Sequence, residues 1–139
     1  MPDFKSLKDL EKYLEKQIND SLKTDVAEKS KNLMEQHIET DVYSTYSPTH
    51  YIRTGELLRS VVTNMLDENT LTILNIRSDG TRYIPYVIEY GKGYEWGDGS
   101  LDARIGARPF ISNTRKELES GLAREFMRDA LKKRGLDVK

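Results

Sequence analysis

Apolar residues recur at Phe4, Leu7, Leu10, Leu14, Ile18 and Leu22, the three-and-four spacing that lines one face of a helix. The pattern resumes at Val26, Leu33, Met34, Ile38 and Val42, across an apolar-poor stretch from Lys23 to Asn32 in which Asp25 and Glu28 can form a fresh N-terminal cap. One unbroken helix from Ser6 to Val42 would reach about 55 Å at 1.5 Å per residue. That exceeds what a domain of this size can cover, so part of it would need a neighbouring subunit. Two shorter helices, broken near Thr24, would instead fold on one core, and the periodicity fits both arrangements.

Ser44-Thr45-Tyr46-Ser47-Pro48-Thr49 ends the helical pattern, because Pro48 has no N–H and the hydroxyl side chains compete for backbone hydrogen bonds. Leu57 to Leu66 and Leu71 to Ile76 are β-rich runs separated by Asp67-Glu68-Asn69-Thr70, which predicts an antiparallel hairpin. A turn at Asp79-Gly80 leads into Tyr83 to Tyr90, a third predicted strand, placed at a sheet edge because Pro85 cannot donate to a ladder. Gly91 to Gly106 holds five glycines and Trp96, the sole tryptophan, and is expected to be one long irregular connection. Pro109 suits the first turn of a closing helix whose apolar face runs through Ile111, Leu118, Leu122, Phe126 and Leu131 and stops at Lys132-Lys133-Arg134-Gly135. The expected fold is α+β: a long N-terminal helix or helix pair, a small antiparallel sheet of about three to four strands, the Gly-rich loop, and a C-terminal amphipathic helix.

At 139 residues and 16.1 kDa the chain fits a single domain, 1–139, with 37% hydrophobic and 32% charged residues, a balance of a soluble globular protein. Apolar runs such as Ile84 to Ile88 fall far short of the about 20 residues that cross a membrane, and Met1 to Ser6 lacks the apolar core of a secretory signal. These features point to the cytoplasm. Zero cysteines exclude a disulfide framework and a Cys-type zinc site. A formal charge of -1, from 22 basic and 23 acidic residues, does not match a dedicated nucleic-acid binder.

Candidate chemistry is sparse. His37 and His50 are far apart and form no metal-binding pair, His37 being expected at a partly exposed helical position, and no base stands ready for a nucleophile. Five carboxylates in or beside loops, Glu56, Glu89, Glu95, Asp98 and Asp102, would allow a hydrolase only if two converged in one cleft. Gly91-Lys92-Gly93 lacks the spacing of a phosphate loop. Arg77, Arg82 and Tyr83, or Arg104 and Arg108, could touch a DNA backbone without reading bases. The expectation is a protein with no catalytic residue, no cofactor and no metal.

Three motifs carry a family resemblance. Arg53-Thr54-Gly55-Glu56-Leu57-Leu58-Arg59-Ser60-Val61, preceded by Tyr51, resembles the Thr-Gly-x-Leu-x-x-Ser-Ile/Val signature of phage tail-completion and head–tail joining proteins. Tyr86-Val87-Ile88-Glu89-Tyr90-Gly91 is similar to that family's aromatic-rich segment ending in Glu-Phe/Tyr-Gly, with Lys92 where family members often have Thr. Ala107-Arg108-Pro109-Phe110-Ile111 resembles the Ala-x-Pro-Phe-Leu/Ile start of the last helix, with Asn113 near where a second proline often stands. The three occur in family order and, with the flanking helices, span nearly the whole chain.

The resemblance implies a non-enzymatic neck protein of a long-tailed phage or prophage that forms a ring, typically six-fold, between the head-completion ring and the tail tube or tail terminator. A tail terminator or head-completion stopper is the neighbouring alternative. Its place would be the host bacterial cytoplasm during assembly and then the virion neck, with incidental DNA contact in the ring lumen and no membrane. Thr54, Gly55, Leu57, Ser60, Glu89, Gly91, Pro109 and Phe110 would be its structural motif residues. Tyr83, Tyr86, Tyr90, Tyr94 and Trp96 are the expected partner-contacting anchors, large rigid side chains on an edge and in a glycine-rich loop.

Overall fold

The computed structural model describes residues 3–44, 55–79, 82–90, 94–95, 101–102 and 107–138. Ser6 starts the first helix, its hydroxyl accepting the Asp9 N–H at 3.2 Å. The helix then runs without interruption through α1 (Leu7–Ser21), a π turn at Leu22–Val26, α2 (Ala27–His37) and a second π turn at Ile38–Tyr43. Of the two arrangements that the periodicity fits, the structure has the unbroken one, with no break near Thr24. Each π turn inserts extra residues into the helical ladder and re-aims the apolar stripe. This brings Val26, Ala27, Ser30, Leu33 and Met34 into buried positions despite the polar composition of the stretch.

The segment expected to be strand from Leu57 begins instead with a helical turn, α3 (Glu56–Arg59). Gly55 has φ +77° and its carbonyl accepts the Arg59 N–H at 3.1 Å, so the left-handed residue launches a turn before the strand. Strand β1 (Val61–Asp67) then pairs antiparallel with β2 (Thr70–Asn75), from Val61 opposite Asn75 to Met65 opposite Leu71, with a bulge before Asp67. The polar turn lies where the sequence puts it, Asn69 N–H donating to Asp67 Oδ1 at 2.8 Å.

The expected third strand is a correction. After a two-residue ladder of β3 (Ser78–Asp79) with β4 (Arg82–Tyr83), the segment Ile84–Tyr90 is a helix, α4. Pro85 sits in its first turn, where a missing N–H costs nothing. Tyr83, Tyr86 and Tyr90 are exposed while Pro85, Val87, Ile88 and Glu89 are buried, a spacing of three and four and not of two. The sheet is therefore two-stranded, not three- to four-stranded, among the described residues. A further two-residue ladder, β5 (Tyr94–Glu95) with β6 (Leu101–Asp102), lies inside the Gly-rich connection.

The closing helix is two helices, α5 (Phe110–Glu117) and α6 (Ala123–Lys133), joined across Leu118–Leu122 at a kink where Gly121 has φ +127°. Pro109 precedes the first helical residue. The C-terminal stop is as expected: Leu136 N–H donates to Leu131 O and Gly135 N–H to Lys132 O, both at 3.0 Å, with Gly135 at φ +90°. Helix α6 lies against the first π turn, Arg134 Nη2 donating to Thr24 Oγ1 at 3.2 Å, and α5 lies against α2. The main core gathers Met34, Ile38 and Val42 from the first helix, Leu57, Val61, Ile88 and Phe110.

Candidate partner-binding site

Helix α4 is short, and seven residues in water would not hold a helical conformation on their own. Two sets of contacts fix it. At its start the Ile84 N–H donates to Arg77 O at 3.2 Å, and the Tyr83 hydroxyl donates to Asn75 O at 2.6 Å. Burial pushes the Tyr83 phenol above its ordinary pKa, so it stays a donor. At its end the Arg108 N–H donates to Ile88 O at 2.9 Å.

Glu89 supplies the strongest tie. It is only 7% exposed, and its carboxylate accepts the Ile111 N–H on Oε2 and the Ser112 N–H on Oε1, each at 2.9 Å. These are two of the N–H groups that the first turn of α5 leaves without helical partners, and a carboxylate there also meets the positive end of the helix dipole. Glu89 thus caps α5 from another helix and clamps α4 to it.

Clamped in this way, α4 presents a tyrosine face to solvent. Tyr83, Tyr86 and Tyr90 are 48%, 56% and 57% exposed, and the Tyr86 and Tyr90 rings lie 4.8 Å apart at 54°. With Ile111, Ser112 and Arg115 of α5 they line an open groove of about 260 Å³, floored by Glu89. Ordered aromatic rings cost little entropy on binding, which suits a docking surface. Of the expected anchors, these three tyrosines share one face. The Tyr94 side chain and Trp96 lie outside the described residues, as do Thr54 and Gly91.

The other motif residues are structural. Leu57 and Phe110 are core, Ser60 Oγ donates to Glu56 O at 2.6 Å, and Ser60 O accepts the Ile76 N–H at 3.0 Å. The hydrolase carboxylates do not converge where they are described: Glu89 caps α5, and Glu56 pairs with Arg77 at 2.9 Å. Asp98 and the Glu95 and Asp102 side chains lie outside the described residues. Of the basic residues that could touch DNA, Arg108 is buried and its Nη1 points to Val42 O at 3.4 Å, so it is withdrawn from solvent. No group of three or more metal-ligating side chains occurs among the described residues, nor is any described helix long and apolar enough to cross a membrane.

Two polar sites went unread in the sequence. Asn75 is 1% exposed; its Nδ2 donates to Leu57 O at 2.7 Å and its Oδ1 accepts the Arg77 N–H at 3.0 Å, joining α3 to the segment that leads to α4. Its signal was strand parity, since Leu71, Ile73 and Asn75 share one face. His37, half-buried as expected, lies between two carboxylates, Nδ1 at 2.6 Å from Asp41 Oδ2 and Nε2 at 2.9 Å from Glu117 Oε1, while Asn113 Nδ2 donates to Asp41 at 3.0 Å. This cluster ties the first helix to α5. Burial works to raise the Asp41 carboxyl, but the hydrogen bonds from Asn113 and His37 and the His37 charge outweigh it and hold the group below 3.8.

The YomN family model matches residues 6–134. A curated relative, the SPbeta prophage-derived uncharacterized protein YomN of Bacillus subtilis (strain 168), is 34% identical over 102 residues, 73% of each chain. No solved structure matches the chain.

Proposed function

The chain belongs to the YomN family, and we propose that within it this protein is a non-enzymatic neck component of a phage or prophage particle, joining the head connector to the tail as part of a ring. The prophage origin of the relative gives the setting. The observation that carries the reading is the tyrosine face at α4: Tyr86 and Tyr90 on the helix and Tyr83 just before it stand exposed together, on a unit held in place by Glu89 and Asn75. The three motifs that resemble head–tail joining proteins bear on this same unit. The first builds the turn and strand that lead to α4, the second is α4 itself, and the third is the α5 start that Glu89 caps.

The test is to mix the purified protein with heads and with tails arrested before joining, and to follow binding by mass analysis and joined particles by electron microscopy. Binding to one partner with restored joining is the expected result. Binding to neither contradicts the reading. A tail-terminator or stopper role would show as capture by tails alone or heads alone without joining.

A further inference from the structure

His37 has a carboxylate oxygen in front of each ring nitrogen: Nδ1 lies 2.6 Å from Asp41 Oδ2 on its own helix, and Nε2 lies 2.9 Å from Glu117 Oε1 on α5. A neutral imidazole carries one N–H and an imidazolium two, so both bonds exist together when the ring is charged. Asp41 decides where the single proton of the neutral ring goes. Burial works against the Asp41 charge, but the hydrogen bonds from Asn113 and His37 hold its carboxyl below 3.8, so it accepts throughout the range in which an imidazole titrates. Its Oδ2 also takes the Asn113 amide at 3.0 Å, and its Oδ1 the Thr40 hydroxyl at 3.2 Å. The neutral ring therefore keeps its proton on Nδ1 and turns a bare Nε2 lone pair toward Glu117. Among the described residues no other charged side chain bonds the ring. On its own helix Glu35 pairs with Lys31; on α5 Arg115 pairs with Glu119 and Lys116 is exposed. In α3 Glu56 is turned to Arg77 and Arg59 lies against Gly55, while Arg108 points to Val42 O. The strands from Val61 to Leu66 and from Thr70 to Asn75 carry no charge.

We propose that His37 is a proton-operated joint between the first helix and α5: the charged ring bridges Asp41 and Glu117, and loss of the Nε2 proton releases Glu117. The two carboxylates differ in how easily they part from the ring. The Asp41 side chain is 23% exposed and held by Asn113 and Thr40, whereas Glu117, at the last residue of α5, is 49% exposed and turns readily into water. The closed joint binds one proton more than the open one, so closing is favoured as pH falls and lost as it rises. Helix α5 also supplies Ile111, Ser112 and Arg115 to the tyrosine groove, and the joint sets how firmly that wall is held. The device belongs to the fold and does not depend on the neck reading.

The chain has two histidines, so a full-length His50→Gln parent keeps His37 as its one imidazole. Long-range proton–nitrogen NMR spectra read the protonation of each ring nitrogen from about pH 5 to 8. Hydrogen exchange of the α5 amides, corrected for the intrinsic rate at each pH, reads the opening of the joint. The basic ring is expected as the Nδ1–H tautomer, and α5 is expected to open about three- to tenfold more often at the basic end than at the acidic end. In Glu117→Gln the amide accepts from an N–H or, turned over, donates to a bare nitrogen, so the contact survives in both charge states and opening should change by less than about twofold. Glu117→Ala has nothing to release and should open at the acidic end as often as the parent does at the basic end. A basic ring protonated on Nε2, a parent whose opening does not change with pH, or a Glu117→Gln protein that changes as much as the parent overturns the proposal.

Discussion

The carboxylate of Glu89 and the backbone N–H of Ser112, 2.9 Å apart and 23 positions apart in sequence, join the helix that carries the tyrosines to the helix that closes the fold. Because the same carboxylate also holds the Ile111 N–H, Glu89→Gln keeps the shape but offers one accepting oxygen where two donors wait. It is expected to lower unfolding free energy by about 1–3 kcal/mol, with Glu89→Ala at the upper end. Urea denaturation of wild type and both variants measures this, and unchanged midpoints would remove the clamp from the account.

Asn75 is the second support of α4. Replacing it with Ala leaves the Arg77 N–H and Leu57 carbonyl without their partner in a site that water does not reach, at a cost of about 2–3 kcal/mol. Asn75→Leu, which also puts an apolar group against those atoms, should be no better. Denaturation midpoints decide, and hydrogen exchange should show the residues of α4 losing protection first.

Asp41 gives the acid branch of the stability profile. Its folded pKa is below the ordinary 3.8, so the unfolded state binds more protons in that range and stability rises with pH there. The contribution is present above 3.8 and is lost as pH falls through the folded value. In Asp41→Asn this part of the profile should be flatter, and the variant should be less stable than wild type at neutral pH. Identical acid limbs for the two proteins would rule the contribution out.

Local pattern made much of this architecture legible. Ser6 and the Leu7-to-Leu22 stripe gave the first helix, the Asp67–Thr70 turn gave the hairpin, and Arg134-Gly135 gave the C-terminal stop. The misreadings have physical causes. Tyr83 to Tyr90 is rich in β-formers, and Pro85 was read as an edge-strand marker. The spacing of the exposed tyrosines at three and four was the better guide. The polar stretch from Lys23 to Asn32 left a break open as one of two arrangements; the chain instead continues through a π turn, with Val26, Ala27 and Ser30 buried. The His37 cluster could not be read locally, because Glu117 lies 80 positions away. Likewise Glu89 was singled out through a motif, and its capping role became visible only with α5 beside it.

Gly121 tests the kink between α5 and α6. Its φ of +127° strains any residue with a Cβ, although nothing lies within 4 Å of where that atom would stand. Gly121→Ala is therefore expected to cost about 1–3 kcal/mol through backbone strain alone. A stabilised Gly121→Ala protein would mean that the two helices can straighten into one without loss.

The central claim is that the α4 tyrosines serve assembly and not folding. The double variant Tyr86→Ala/Tyr90→Ala removes two side chains that are more than half exposed, so its stability should stay within about 1 kcal/mol of wild type. The decisive measurement is the yield of joined particles when this folded variant replaces wild type in extracts that supply separate heads and tails. The account predicts at least about a tenfold loss of joined particles, a modest share of what interface aromatics can contribute. Joining at the wild-type level by the folded variant would contradict it.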